Sequence, residues 1–138
     1  KKAVPNLLDK GSPLPIRERE IVILRTTANN DCEYEWGVHV AIFASAAGFS
    51  EAQVVATKNG NCDDPVWNDQ EKSLLASIDD LCRSGVMDEE NLAAFRRLWS
   101  KEEQMEIMAL CGTYHTVSFV ANSATVGLED FAARFPAA

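Results

Sequence analysis

The residues in this sequence that can do chemistry are ionisable side chains placed where a helical pattern calls for apolar ones. In the segment Asp31-Cys32-Glu33-Tyr34-Glu35-Trp36-Gly37-Val38-His39, Cys32, Glu35 and His39 stand at i, i+3 and i+7. They therefore project from one face of a helix. Trp36, Ile42 and Phe43 are their neighbours on that face, so the trio sits in a water-excluding stripe rather than on a solvated side. A carboxylate deprived of water favours its protonated form unless a partner compensates, and His39, one turn from Glu35, is such a partner. Glu35 and His39 thus read as an acid/base pair. Cys32, in the first turn, meets unpaired N–H groups and the positive end of the helix dipole, which favour the thiolate of a nucleophile or redox thiol. Each residue also has a plain structural reading: a small core thiol, a half-exposed acid and a satisfied buried histidine.

A second misplaced acid lies in the preceding helix. Glu20 is centred between Ile16, Ile23 and Leu24, whereas Glu18 and Arg25 fall on the polar side. Two readings stay open. Either Glu20 pairs with Arg17 or Arg19 at the helix margin, or the short Asn29-Asn30-Asp31 turn folds the two helices together and brings Glu20 to His39. In the last helix Tyr114, His115, Ser118 and Asn122 form a polar strip beside Met108, Cys111 and Phe119. Structural hydrogen bonding is the plain reading of that strip; the functional one makes Tyr114 and His115 pocket walls, together with Trp36 and Phe43. Cys62, Cys82 and Cys111 lack a CxxC partner and read as packing or surface thiols. Cys32 and His39, with Glu35 as a weak third ligand, fall short of a zinc site, so no metal is expected. The sequence has no Gly-rich phosphate loop, P-loop lysine or dinucleotide fingerprint, and no cofactor is expected either.

These side chains need helices to hold them, and the punctuation of the chain supplies six. Residues 1–14 form a lead-in segment with Pro5, Gly11 and Pro13. Pro15 suits the first position of a helix running to Ala28. Asn30 or Asp31 caps a second helix, Cys32 to Ala47, which Gly48 closes. Ser50 caps a third, Glu51 to Lys58. A fourth starts at Asn68 or Asp69 and runs to Arg83, terminated by Gly85, and Asp88 caps a short fifth helix to Trp99. Ser100 with Glu103 forms a capping box for a sixth, Lys101 to about Ser123. No period-2 alternation flanked by hairpin turns occurs, so the fold class is all-α. The second helix is apolar or small nearly all round, a pattern of helices buried centrally or at a subunit contact, and Gly37, Ala41 and Ala44 permit another helix to pack closely.

Composition bounds the rest. A chain of 138 residues with 46% hydrophobic and 25% charged residues is one globular domain, 1–138, rather than a disordered or fibrous segment. The longest apolar run, from Gly37 to Phe49, is too short to cross a bilayer, and no targeting segment is visible, so a soluble, cytoplasmic protein is expected. The net charge of −8, without a basic stripe, disfavours a nucleic-acid partner. The four cysteines are scattered in a chain large enough to rely on its own core, and they read as free thiols. The chain opens at Lys1 rather than Met, which leaves room for a preceding segment.

The segments Arg19-Glu20-Ile21-Val22-Ile23-Leu24-Arg25, Asp31 to His39 and Ala47-Gly48-Phe49-Ser50 strongly resemble the carboxymuconolactone decarboxylase family, which includes the alkylhydroperoxidase D-like proteins. Cys111 to Ser118 with Asn122 resembles that family's C-terminal helix. The resemblance implies an all-helical, alkylhydroperoxidase D-like bundle that assembles as trimers or hexamers. Its peroxidase branch uses a CxxC pair, a histidine and an upstream glutamate as a proton relay. By position these fall on Cys32, His39 and Glu20, while the second cysteine falls on Glu35. The decarboxylase branch instead has Glu-x-x-x-His, matched by Glu35 and His39. The resemblance thus implies a cofactor-independent lyase acting on a small organic acid or lactone, with Glu20, Cys32, Glu35 and His39 as catalytic residues. The alternatives are a thiol-dependent peroxidase or disulfide reductase centred on Cys32, and a non-catalytic, ligand-binding helical oligomer.

Overall fold

A computed structural model describes residues 11–138; most of the lead-in segment, residues 1–10, lies outside the described residues. Among the described residues the regular elements are all helices: α1 (Ile16–Asn29), α2 (Glu33–Phe43), α3 (Glu51–Asn59), α4 (Asp69–Ser84), α5 (Glu89–Leu98) and α6 (Lys101–Ser123). The caps follow the sequence closely. Ser50, Asn68 and Ser100 each close a reciprocal capping box, with Gln53, Glu71 and Glu103 respectively, so the orphan N–H groups at three helix starts are satisfied by side chains. Asp88 accepts from the Asn91 N–H, and Gly85 ends α4 in the left-handed region at φ 75°, a conformation that costs glycine little.

Three expectations are corrected. Pro15 is the residue before α1 rather than its first residue, with ψ 155°. The second helix begins one residue later, making Cys32 its N-cap, and ends at Phe43 instead of Ala47. Gly48 does take a positive φ of 73°, but it does so in a turn beyond the helix, where Phe49 N–H reaches the Ala44 carbonyl. The centre of the bundle is α1, not α2. α1 packs against α2, α3, α4 and α6, and every residue from Arg19 to Ala28 is buried. Polar residues in α1 hide this from a pattern reading, because Arg25 and Thr27 among them find their partners inside the protein. Arg25, expected on the solvated side, makes a two-point ion pair with Asp79 at 2.7 and 3.0 Å and also donates to the Thr57 and Gly60 carbonyls. Thr27 returns its hydroxyl to Ile23 and Leu24.

The main core joins Ile21, Val22 and Ile23 of α1 to Leu74, Leu75 and Ile78 of α4, Phe95 of α5, and Ile107 and Leu110 of α6. Each such fully buried side chain contributes about 1.5–3 kcal/mol. A smaller cluster gathers Leu24, Ala28 and Trp36 with Phe49, Val54 and Phe135. Here the small face of α2 meets chain rather than another helix. Ala133 N–H donates to the Gly37 carbonyl at 3.0 Å, and a Cβ on Gly37 would collide with the Ala133 backbone oxygen. α2 consequently buries only Trp36, Gly37 and His39 and leaves Ile42 54% exposed.

Candidate active site

A tight turn between α1 and α2 builds the site. Asp31 N–H bonds the Ala28 carbonyl and Cys32 N–H bonds that of Thr27, while Asp31 adopts φ 50°, a left-handed conformation that aspartate tolerates better than most residues. α2 thus returns along α1, and Glu20, fully buried, faces His39. Glu20 Oε2 lies 2.9 Å from His39 Nδ1. The second carboxylate oxygen accepts from Arg19 Nη2 at 3.5 Å, so both readings of Glu20 hold at once: it pairs with an arginine and it engages the histidine. On the other side of the ring, Tyr114 OH from α6 is 3.2 Å from His39 Nε2, and Glu35 Oε2 is 3.7 Å from the same nitrogen. Phe43 stacks at 5.2 Å on the imidazole and lies under the Arg19 guanidinium.

The proton positions follow from chemistry. Burial pushes the Tyr114 phenol well above its ordinary range, and the nearby Glu35 and Glu20 charges push the same way, against the opposing pull of Arg19. Tyr114 therefore keeps its proton, and its O–H can be given to His39 Nε2. The ring then carries its proton on Nδ1 and donates to Glu20. His39 is thereby oriented with one ring nitrogen toward Tyr114 and Glu35, whose side chain is 21% accessible. A substrate entering beside Glu35 would meet a carboxyl group, a phenol and an imidazole within reach of one atom.

Glu20, Glu35, His39, Phe43 and Tyr114 are thus assembled, whereas other candidates lie elsewhere. Cys32 is fully buried, and its thiol makes no hydrogen bond among the described residues. Trp36 turns toward α3 and the C-terminal segment, donating its indole N–H to Thr57 at 2.9 Å and meeting Phe135 edge-on. It borders an apolar cleft with Val40, Phe49 and Pro136, away from the imidazole. His115, next to Tyr114 in sequence, faces the end of α1 instead, where Asn30 Nδ2 lies 3.0 Å from its Nδ1. Arg19 enters the site although its spacing marked it only as a structural partner; its adjacency to Glu20 is the signal a sequence reading offers.

Cys82 and Cys111, read as packing or surface thiols, do pack in the core, and they also come together there. Cys82 Sγ of α4, Cys111 Sγ of α6 and a His115 nitrogen all lie within 4.8 Å of one another. The residue types are those of a metal site, a set the sequence reading passed over although His115 follows Cys111 at i+4 on one face of α6.

Residues 5–60 match the carboxymuconolactone decarboxylase family. The matched segment carries Glu20, Glu35 and His39. The fold is shared with a crystal structure from Agrobacterium tumefaciens of a protein of unknown function, ATU0492, described as a candidate antioxidant defence protein AhpD. The two superpose with a TM-score of 0.78 at 21% identity over 87% of this chain and 82% of that one. No curated protein matches the chain.

Proposed function

We propose that the protein is a cofactor-independent acid/base enzyme of the decarboxylase type, acting on a small organic acid or lactone. The observation that carries this reading is the Glu20–His39–Tyr114 chain of hydrogen bonds, with Glu35 beside its open end. In such a reaction the bond to the departing carboxylate breaks, carbon dioxide leaves, and the electron pair moves into a conjugated acceptor on the ring. Tyr114 or protonated Glu35 polarises that acceptor by hydrogen bonding, and a proton then passes from Glu35 or His39 to carbon. Glu20 holds the imidazole and offsets the positive charge it gains while it carries that proton.

The reading is tested by incubating the protein with carboxymuconolactone and related lactone acids and measuring carbon dioxide release. Turnover that drops at least about 100-fold in Glu35→Gln and His39→Ala supports it, the scale expected for a general acid or base. Absence of turnover, or full activity in both variants, overturns it. The second reading, a peroxidase centred on Cys32, is favoured by the description of the Agrobacterium structure and disfavoured by the sealed thiol. Rapid alkylation of Cys32 in the folded protein would revive it. We further propose self-association as a trimer or hexamer, supported by exposed Ile42, Met105, Met108 and Phe119. No described helix is long and apolar enough to cross a membrane, and four unbridged thiols suit the reducing conditions of a cytoplasm.

A further inference from the structure

The Cys82, Cys111 and His115 cluster is built from α4 and α6 and shares no residue with the acid/base site. Its surroundings decide between metal binding and thiol chemistry. Asn30 Nδ2 donates to the Thr26 carbonyl at 2.8 Å, which fixes the amide so that its N–H₂ group also faces His115 Nδ1 at 3.0 Å. Nδ1 must then accept, and the neutral ring carries its proton on Nε2. Neither nitrogen keeps a free lone pair for a metal, and a ligating histidine would need an acceptor, not a donor, at its second nitrogen. The sulfurs, by contrast, have donors nearby. Thr26 Oγ1 donates to Cys111 Sγ at 3.5 Å, and the Asn29 amide lines the same cleft as Cys82. Cys111 is buried and Cys82 half-buried, but Cys82 opens onto a polar cleft that it lines with Asn29, Asp79 and Arg83.

We propose that Cys82 and Cys111 are a redox-active dithiol, which a small hydroperoxide entering through the cleft converts to a disulfide joining α4 to α6. The pair shares one proton near neutral pH. The neighbouring Cys82 thiol draws the Cys111 thiol down to about 7 against the effect of burial, with Thr26 assisting, and Cys111 in turn, with burial, pushes Cys82 up. The accessible Cys82 attacks, and as it does so its proton passes to the Cys111 thiolate, which acts as the base. Cys82 sulfur bonds to the outer peroxide oxygen as the O–O bond breaks, and the leaving alkoxide takes a proton to depart as an alcohol. Cys111 sulfur then displaces the hydroxyl from the Cys82 sulfenic acid, and the last thiol proton leaves with it as water. The peroxide is reduced by two electrons and the dithiol is oxidised by two. The two sulfurs lie within 4.8 Å of each other, and forming the disulfide draws them together to bonding distance.

The test is stoichiometric hydrogen peroxide on the full chain near neutral pH, followed by tryptic mass spectrometry without reductant. The expected product is a species joining peptides 73–83 and 102–134, two hydrogens lighter than their sum and separated by dithiothreitol. Cys62→Ser retains the link, and Cys82→Ser and Cys111→Ser lose it. Because the mapping is read on the unaltered protein, a variant that fails to fold does not decide the outcome. His39→Ala should form the link as the unaltered protein does, which separates this result from the fate of the acid/base reading. Thiols that stay free, separate sulfinic acids on unlinked peptides, or one tightly held zinc ion that leaves the thiols inert to peroxide would each overturn the proposal.

Discussion

Replacing Glu20 by glutamine tests the proton assignment on which the site rests. The carboxylate accepts from two donors at once, His39 Nδ1 at 2.9 Å and Arg19 Nη2 at 3.5 Å. Glutamine has nearly the same shape but a single acceptor oxygen, so one of the two donors must now face an N–H₂ group. If the amide oxygen stays with the arginine, its nitrogen donates to His39 Nδ1 and the ring proton moves to Nε2. The basic nitrogen facing Tyr114 and Glu35 is then lost. A hydrogen bond to a charged group is worth about 1.5–3 kcal/mol, and none of it is screened at a carboxylate that is fully buried. Glu20→Gln should therefore lower the unfolding free energy by about that amount, and it should slow any reaction that uses His39 as base by about 10- to 150-fold. Nitrogen-15 NMR of the imidazole reports the tautomer directly, and denaturant unfolding reports stability. The reasoning is refuted if the unaltered protein carries its His39 proton on Nε2, or if Glu20→Gln leaves both tautomer and stability unchanged.

Three further outcomes are expected. Tyr114→Phe removes the 3.2 Å bond to His39 and should cost about 1 kcal/mol. In the unaltered protein the raised phenol means that stability is intact below the ordinary tyrosine range and declines above it, as the unfolded chain ionises first; alkaline difference absorbance should show Tyr114 ionising only with unfolding. Asp80 behaves in the opposite sense. Burial raises its carboxyl, but bonds from Asn91, the Asp88 N–H and Arg83 outweigh that and hold it below the ordinary aspartate value. Its stabilisation is complete above that value and disappears as the pH falls through the lower native one, so Asp80→Asn should flatten the acid limb of a stability-against-pH curve. Gly37→Ala should drive the C-terminal segment off α2, because the new Cβ meets backbone at Ala133. A loss of about 1–3 kcal/mol and faster tryptic cleavage after Arg134 would register it.

The helices and most of their ends were legible in the sequence because local chemistry sets them. A serine or asparagine followed three residues later by glutamate or glutamine satisfies its own backbone, as at Asn68 and Glu71, whatever the rest of the chain does. The early end of α2 was not legible, since the stretch Ala44 to Ala47 has the same apolar character inside a helix as in a turn. Nor was the central position of α1, whose Arg25 looks solvated until Asp79 and the Thr57 and Gly60 carbonyls are brought to it.

By itself the sequence determined that Glu35 and His39 share a face and that Glu20 interrupts an apolar stripe, because helical periodicity places side chains on faces without regard to partners. Tertiary structure alone decided which face meets which. It joined Glu20 of α1, His39 of α2 and Tyr114 of α6, turned Trp36 and His115 away, and set Cys82 of α4 against Cys111 of α6. The physical reason is that pKa shifts and shared protons arise from contacts between elements, and those contacts depend on the packing of α1 at the centre of the bundle.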